Sequence, residues 1–235
     1  MNIFFNKNKE TTENEFITVV NHTFRTPLTS ILWILDELKE DLNKEERLLL
    51  IQKIENSTKK VLDIVDLFVG IKNINDTSGY VFEATSIRDI LEKTIVKYRE
   101  DITKKNIKFN IPTFKDIPLL TMDLKKISFV IDSVIENALL YTPKGGSIII
   151  EAIFDRNMLV LKVTDTGIGF TPKDKNKLFT KFFRSPEAIL MNPNGTGLKL
   201  YLSKQIIERH KGKLYVESSG EKQGSSIFIE LPLQK

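Results

Sequence analysis

The sequence predicts a two-domain α+β protein in which an antiparallel helical hairpin precedes an α/β sandwich. Between residues 20 and 68, apolar side chains recur at alternating steps of three and four, with a polar interruption at 41–46. A polar linker then interrupts this pattern, and helical and strand-like segments alternate to the end of the chain. The 235 residues, 41% of them hydrophobic, are sufficient for two small cores.

Changes in polarity and apolar periodicity divide the chain into four predicted segments. Residues 1–13 are predicted to be a flexible tail, and Thr12 and Glu15 have the spacing of a capping box. We expect a helical domain over residues 14–76, a linker over 77–84 and an α/β domain over 85–235.

Two amphipathic helices make up the predicted hairpin. The polar segment 41–46 separates them, with Asn43 as N-cap of the second helix and Glu46 as its N3 partner. Such a short polar turn favours antiparallel packing. The predicted inner seam comprises Val20, Phe24, Pro27, Ile31, Ile34 and Leu38 on the first helix, and Ile51, Ile54, Thr58, Val61, Val65 and Phe68 on the second.

Further apolar residues lie outside this predicted seam. Two helices alone cannot cover so much apolar surface, whereas a homodimeric four-helix bundle can. The residues concerned are Leu28, Leu32, Leu35, Leu50, Leu62 and Leu67.

The α/β domain is predicted element by element from periodicity and turn signals. Helices on one face of a sheet are the expected arrangement. The predicted helices span 86–101, 123 to about 141 and about 196 to 210; the predicted strands span 107–111, 118–122, 147–154, 158–165, 213–219 and 225–233; the segment before residue 195 is loop-rich.

Composition excludes several classes of protein. No run of about 18 apolar residues indicates a membrane span, and the first residues, MNIFF, lack the basic leader of a signal peptide. The chain has no cysteine, which fits a reducing compartment, and we expect a cytoplasmic location. The charge of +4 arises from 35 basic and 31 acidic residues without a basic block, so nucleic-acid binding is not expected.

His22 and Pro27 stand out in the first helix. At about 100° per residue, His22 lies roughly 200° from Val20 and from Phe24, so it is expected to face solvent. Pro27 removes the hydrogen bond to the carbonyl of Thr23 and favours a bend next to the histidine. An exposed imidazole can act as a nucleophile. The alternative is an incidental surface histidine.

Three downstream stretches carry further polar and glycine-rich patterns. DTGIGF (165–170) follows an apolar strand, and its glycines permit tight turns. NGTGLKL (194–200) opens a helix whose first amides favour an anion. ENALLYTPKGG (136–146) ends another helix. A Walker-type loop is absent from the sequence, which makes a P-loop nucleotide site unexpected.

These motifs together resemble a known family. HTFRTPLT (22–29) resembles the phospho-acceptor box of sensor histidine kinases, and the three stretches resemble their N, G1 and G2 boxes, with KLFTKFF (177–183) as the F box. The resemblance covers about residues 14–235. It implies a dimerisation and histidine phosphotransfer hairpin, followed by the ATP-binding sandwich shared with gyrase-type and Hsp90-type ATPases.

The resemblance implies an activity and its partners. The chain would bind ATP and Mg²⁺, phosphorylate His22 and relay the phosphoryl group to an aspartate of a response regulator receiver domain. It would act as a homodimer, and the sequence shows no sensor segment that names its input. Two alternatives stay open: a phosphatase-biased member with weak kinase activity, and a nucleotide-binding dimeric scaffold.

For the first helix, the resemblance implies that His22 is the phosphorylated nucleophile. Thr23 stands where the family has an acidic residue that assists proton removal, and such assistance is worth about 10²–10⁴-fold. Thr26 matches the residue that positions water for dephosphorylation of the partner regulator.

For the nucleotide, the resemblance implies that Asn137 holds Mg²⁺, that Tyr141 flanks the adenine and that Asp165 accepts a hydrogen bond from its amino group. Gly167 and Gly169 would let the chain pass the base. The alternative for Tyr141 is simple packing.

The phosphates would meet Gly195, Thr196 and Gly197, next to a mobile lid over about residues 170–195. Arg184 would reach the γ-phosphate, or else be a solvated charge of the lid. The aromatic residues Phe179, Phe182 and Phe183 are expected to anchor the lid.

Three positions near the nucleotide depart from the family pattern. Ser133 replaces the first asparagine of the N box, Leu140 replaces a basic residue, and Lys199 replaces the third glycine of the G2 box. Lys199 is predicted either to substitute for the missing basic group at 140 or to point to solvent. His210 is expected to be structural, as a cation at a helix end.

Overall fold

In the computed structural model the chain forms two compact units. The first comprises Met1–Asn73 with Asn194–Thr196, and the second comprises Ile74–Pro193 with Gly197–Lys235. The residues that the structure describes are 20–21, 23–72, 79–111, 117–155, 157–193 and 195–233.

The first unit contains a helical hairpin. Helix α1 comprises residues 20–21 and 23–37, and α2 spans Lys44–Lys72. The backbone amide of Asn43 donates to Glu46 Oε2 over 3.0 Å, and the amide of Glu46 donates to Asn43 Oδ1 over 2.9 Å. The predicted capping box at the start of α2 is therefore confirmed.

The two helices run antiparallel. The ring of Phe24, near the start of α1, stacks on the ring of Phe68, near the end of α2, with centroids 5.9 Å apart. On α1 the predicted seam is confirmed, because each of its members is buried or half-buried and Pro27 and Ile34 are the most buried.

On α2 the predicted seam is wrong at alternate positions. Ile51, Thr58 and Val65 are exposed, whereas Leu50 and Ser57, each one residue earlier, are buried. One residue rotates the position on a helix by about 100°. Since apolar residues lie on both stripes of α2, their spacing could not decide which stripe faces α1.

Much of the outer surface of the hairpin is apolar. Leu50 and Leu67, predicted to lie outside the seam, are buried in it, whereas Leu28, Leu32, Leu35 and Leu62 are exposed as expected. The other exposed apolar side chains of the hairpin are Trp33, Leu48, Leu49, Ile51, Val65 and Val69.

The second unit is built on a mixed five-stranded sheet with strand order β2-β4-β5-β7-β6. Strand β2 runs parallel to β4, and the other neighbours are antiparallel. A separate antiparallel pair joins β1 to β3. The strands are β1 (Glu83–Thr85), β2 (Lys108–Asn110), β3 (Leu120–Met122), β4 (Ser147–Asp155), β5 (Met158–Asp165), β6 (Lys213–Glu217) and β7 (Ser225–Pro232).

Helices cover one face of this sheet. Alternate residues of β5 are buried, which marks the covered face, and Asp165 ends that buried row. Asp123 caps α4 as predicted, by accepting a hydrogen bond from the amide of Lys126 over 2.9 Å. The covering helices are α3 (Ile87–Lys104), α4 (Leu124–Tyr141) and α7 (Lys199–Arg209). The predicted helix-covered α/β layer is thus confirmed.

Three short elements were not predicted. Strand β1 falls at the boundary between the predicted linker and the α/β domain, and three residues are too few for periodicity to detect. The segment predicted to be loop-rich contains α5 (Pro172–Lys175) and α6 (Pro186–Met191), each with proline in its first turn and a side-chain cap before it. Among the described helices, none is long and apolar enough to cross a membrane.

Candidate functional site

Residues 23–29 of the motif that resembles a phospho-acceptor box lie on α1. His22 is outside the described residues, so its expected exposure stays a prediction. Thr23 is buried, with 7% of its surface exposed, whereas Thr26 is exposed. The helix continues through the buried Pro27 to residue 37. The acidic-to-threonine departure therefore falls at a buried position of the hairpin.

Asp165 is the buried carboxylate of the second unit. Gly167 donates its amide to Oδ1 over 2.7 Å, and the hydroxyl of Ser225 donates to Oδ2 over 2.5 Å. Burial raises the pKa of the Asp165 carboxyl, and these hydrogen bonds act in the opposite direction. A carboxylate can accept about four hydrogen bonds, which is more than Gly167 and Ser225 supply, so it can still accept one from a ligand.

Ser225 is a site residue that the sequence did not reveal. It lies directly opposite Asp165 in the pairing of β5 with β7. Sixty residues separate the two in the chain. Only the register of the two strands brings them together, and the sequence alone does not set that register.

Gly167 and Gly169 are required by the packing of the protein itself. A Cβ at Gly167 would lie 2.6 Å from both Asp165 Oδ1 and the carbonyl oxygen of Tyr141. Gly169 has φ of +61°, and a Cβ there would lie 2.1 Å from the carbonyl oxygen of Gly220. The tight loop thus accounts for both glycines without a ligand.

The same loop is joined to the end of α4. The amide of Ile168 donates to the carbonyl oxygen of Tyr141 over 3.3 Å. Together with the contact at Gly167, this bond places Asp165 and Tyr141 at one rim of the sheet.

Tyr141 is half-buried and has Arg184 beside it. Burial raises the pKa of the Tyr141 hydroxyl, while the Arg184 guanidinium lowers it by its charge and a hydrogen bond. Arg184 also donates to the carbonyl oxygens of Ala188, over 2.7 Å, and of Asn192. It therefore holds the end of α6 and is not the solvated charge of the alternative interpretation.

The backbone of the segment before α6 packs closely against Gly197, which precedes α7. Phe179, Phe182 and Phe183 are half-buried. The amide of Phe182 donates to the carbonyl oxygen of Gly197 over 3.1 Å. Gly197 has φ of +67°, and a Cβ there would lie 2.7 Å from the carbonyl carbon of Phe182. The close approach explains this glycine.

The last turns of α4 carry the remaining candidate residues. Asn137 is half-buried. Ser133 is buried, and its hydroxyl donates to the carbonyl oxygen of Phe129 over 2.7 Å, within its own helix. Lys199, the first residue of α7, forms an ion pair with Glu136. Lys199 is thus partly exposed and paired with a carboxylate, and its expected role near the phosphates stays a prediction.

Asn137 is also the candidate metal ligand. Mg²⁺ is commonly bound by one or two protein oxygens together with substrate phosphates and water. A half-buried amide oxygen fits that mode. In the described part of the chain, no group of three or more histidine or acidic residues forms a metal site of its own.

Gly195 and Thr196 are half-buried and group with the first unit. The structure does not unite them with Asp165, Tyr141 and Asn137 in one unit. Their expected contact with phosphates stays a prediction.

His210 is structural, but it is not a cation. Its ring is buried, and Nε2 accepts a hydrogen bond from the amide of Asp123 over 3.0 Å. Nδ1 lies 2.8 Å from the carbonyl oxygen of Ile206, so the proton is on Nδ1. Burial lowers the pKa of His210. The expectation of a charged end of α7 was wrong because the sequence did not show that the ring is buried.

The chain thus combines a helical hairpin with a helix-covered mixed sheet that carries a buried carboxylate and a glycine turn at its rim. Residues 12–69 match the model of the His Kinase A (phospho-acceptor) domain. Residues 122–235 match that of the histidine kinase-, DNA gyrase B- and HSP90-like ATPases. The chain belongs to the histidine kinases of two-component systems, which confirms the resemblance.

Individual relatives agree with this family. The chain is 30% identical over 228 residues to the sensor histidine kinase WalK of Bacillus subtilis, covering 94% of this chain and 37% of that protein. The chain thus spans less than half the length of this relative.

Solved structures share the fold. Histidine kinase AdeS of Acinetobacter baumannii superposes with a TM-score of 0.69 at 19% identity, over 91% of this chain and 98% of that one. Histidine kinase ThkA, in complex with response regulator protein TrrA, gives a TM-score of 0.67 at 22% identity. The match covers 97% of this chain and 64% of that one.

Proposed function

We propose that this chain is an ATP-dependent autokinase that phosphorylates His22 and relays the phosphoryl group to an aspartate of a response regulator. The observation that carries the proposal is the rim formed by Asp165, Gly167 and the end of α4. It combines a buried hydrogen-bond acceptor with a half-buried aromatic residue, in a unit that matches an ATPase family.

The adenine is assigned to this rim. Its amino group donates to the Asp165 carboxylate, which Ser225 and Gly167 hold in place. Tyr141 flanks the ring. A fixed, buried acceptor discriminates strongly against bases that lack the matching donor, because the carboxylate would then be left without a partner.

The phosphates and Mg²⁺ are assigned to the region between α4 and the start of α7. Asn137 holds the metal, and Gly195, Thr196 and Gly197 offer backbone amides. When bound, Mg²⁺ neutralises the charge that develops on the phosphates, and phosphoryl transfer depends mostly on such positioning and neutralisation. To reach the γ-phosphate, Arg184 would have to exchange its carbonyl partners on α6.

In the chemical step, a neutral imidazole nitrogen of His22 attacks the γ-phosphorus. The bond from that phosphorus to the bridging oxygen breaks, and ADP leaves with the electron pair. The proton on the other ring nitrogen passes to solvent. Because Thr23 is uncharged and buried, we expect the step to be slow.

A second copy of the chain and a regulator are the proposed partners. The exposed apolar residues of the hairpin favour a homodimer. ThkA has been solved with a response regulator, and we assign the corresponding receiver domain as acceptor of the phosphoryl group. A tail over 1–13, a phosphotransfer domain over 14–76, a linker over 77–84, a catalytic domain over 85–235 and a cytoplasmic location belong to the same proposal.

Incubation with Mg²⁺ and ATP labelled in the γ-phosphate tests the kinase. The wild-type protein should take up acid-labile label, and His22→Gln, which keeps a polar side chain, should take up none. Equal labelling of both proteins would contradict the assignment of His22.

Exchange of Thr23 tests why the reaction is slow. Thr23→Glu should raise the labelling rate by about tenfold or more, if it restores proton removal. Thr23→Gln is the matched control, because it adds the same bulk at this buried position without the charge. Equal rates in the two variants would show that charge at position 23 is not limiting.

A phosphatase-biased protein is the second candidate function. The observation that favours it is Thr26, which is retained and exposed, three residues after the altered Thr23. Such a protein would remove phosphate from a phosphorylated regulator, and Thr26→Ala should slow the removal without lowering autophosphorylation. A scaffold would bind nucleotide and do neither.

A further inference from the structure

Lys199 departs from its family pattern, and its ammonium group pairs with a specific carboxylate. The partner, Glu136, directly precedes the proposed magnesium ligand Asn137 on α4. The two side chains are 38% and 37% exposed, so solvent and ligands reach both. The pair is a contact between helices, since 63 residues separate the two in sequence.

Glu136 lies on α4 one residue before Asn137 and five before Tyr141, so its charge is near the proposed nucleotide. Burial raises the pKa of the Tyr141 hydroxyl, and the Glu136 carboxylate contributes in the same direction. Burial also raises the pKa of Tyr98 on α3, with Glu136 and Asp132 adding to the effect. Asp132 has its own cation, Lys97, at 2.5 Å. Lys199 is the cation that the structure pairs with Glu136.

Lys199 stands at the positive end of α7. The residue before it, Leu198, makes no side-chain capping hydrogen bond. A cation in the first turn opposes the helix dipole, so this helix end favours a nearby anion. In the structure the Glu136 carboxylate supplies that negative charge.

A nucleotide would compete for the same ammonium group. The phosphates of ATP are assigned to the start of α7, and they carry more charge than a carboxylate. An unpaired Glu136 close by would repel them. Leu140, one helical turn after Glu136, offers no cation at the position where the family has one.

We propose that Lys199 exchanges Glu136 for the terminal phosphates of ATP, so that it positions the nucleotide and favours the triphosphate over the diphosphate. The inference rests on the proposed ATP binding. Glu136 holds the ammonium group in the unliganded protein and competes with the nucleotide for it.

Calorimetric titration of the full-length chain with Mg-ATP and Mg-ADP tests this exchange. Lys199→Ala should weaken ATP binding by about tenfold, because a charge-assisted contact is lost, and ADP binding by less. Glu136→Gln should tighten ATP binding by about threefold, because the competitor of the phosphates is removed. The opposite signs separate an exchange from a purely structural ion pair.

Lys104 and Glu100 on α3 form a matched control pair. They are also a lysine and a glutamate in contact, at 3.0 Å, and they are more exposed. Lys104→Ala and Glu100→Gln should leave both affinities unchanged. Thermal unfolding of every variant without nucleotide verifies that each one is folded.

Three outcomes overturn the exchange. Weaker ATP binding in both Lys199→Ala and Glu136→Gln would mean that the pair only supports the fold of the site. Unchanged affinities would mean that it lies away from the phosphates. Failure of the wild-type protein to bind ATP would overturn the proposed function together with this inference, whereas the first two results overturn the exchange alone.

Discussion

The hairpin and the α/β unit differ in how much of their apolar side chains is buried. In the α/β unit, the side chains that line the covered face of the sheet and the inner face of α4 are almost completely buried, as Val130, Val134 and Ile148 show. In the hairpin, large apolar side chains such as Leu32 and Trp33 are 62% and 73% exposed.

The two units therefore differ in whether a single chain is enough to bury their apolar side chains. The α/β unit completes its own core from a single chain. The hairpin has one buried seam and a second apolar surface, and an exposed patch of this kind marks an interaction site. The first unit is suited to assembly, and the second is suited to nucleotide binding.

The largest predicted effect is dissociation of the proposed homodimer. The double substitution Leu32→Glu, Leu62→Glu places charges on the outer apolar surface of both helices. Burying them in a dimer would cost about 3 kcal/mol or more, so the dimer should dissociate into monomers. Sedimentation equilibrium measures the mass. Gln52→Glu, an exposed charge on the same hairpin, should leave the dimer intact, and an unaltered mass in the double variant would refute this interface.

The second prediction concerns the buried carboxylate. Asp165→Asn should weaken ATP binding by roughly 10–100-fold, because a charged hydrogen-bond acceptor is lost. Stability should change little, since the side chain keeps its shape and burial of the charge no longer disfavours the folded state. Calorimetry and chemical denaturation separate the two effects. Equal losses of stability and affinity would point to a structural role only.

The third prediction concerns His210. His210→Leu leaves the buried amide of Asp123 without its acceptor and should lower the free energy of unfolding by about 1–3 kcal/mol at neutral pH. Chemical denaturation gives this value. Lys211→Ala, an exposed neighbour, is the control and should have no comparable effect.

The pH dependence of His210 has a definite sign. Burial holds its folded-state pKa below the usual 6.5, so the unfolded chain takes up the proton first. The stability that neutral His210 contributes is thus present above about pH 6.5 and is lost on acidification towards its folded-state pKa. The gap between wild type and His210→Leu should shrink in that range, and a constant gap would show that His210 does not titrate on unfolding.

Local signals in the sequence predicted much of the fold. Asn43 with Glu46 and Asp123 with Lys126 are caps whose partners lie three residues away, and both are present in the structure. The long strands β4 and β5 were predicted because their apolar runs are bounded by turn residues. Interactions between residues close in the chain produce residue patterns that can be recognised in a single sequence.

Features that depend on distant contacts were not predicted. Ser225 meets Asp165 through strand register, and Lys199 meets Glu136 through helix packing. The charge state of His210 follows from burial by α4 and the segment before β1, whose Tyr80 and Phe82 rings lie 5.7 and 5.0 Å from it. The sequence therefore predicted which residues belong to the candidate site. It did not predict the hydrogen-bond and ion-pair partners that hold them in place.

The central claim is that the hairpin mediates assembly while the α/β unit binds the nucleotide. Its most direct test is the affinity of the Leu32→Glu, Leu62→Glu variant for Mg-ATP, measured by calorimetry on the full-length chain. The account predicts a monomer that binds ATP within about twofold of the wild-type affinity, because Asp165, Gly167 and the end of α4, which form the proposed adenine rim, all belong to the α/β unit. A monomer that no longer binds ATP would contradict it, and would mean that the nucleotide site depends on the assembled hairpin.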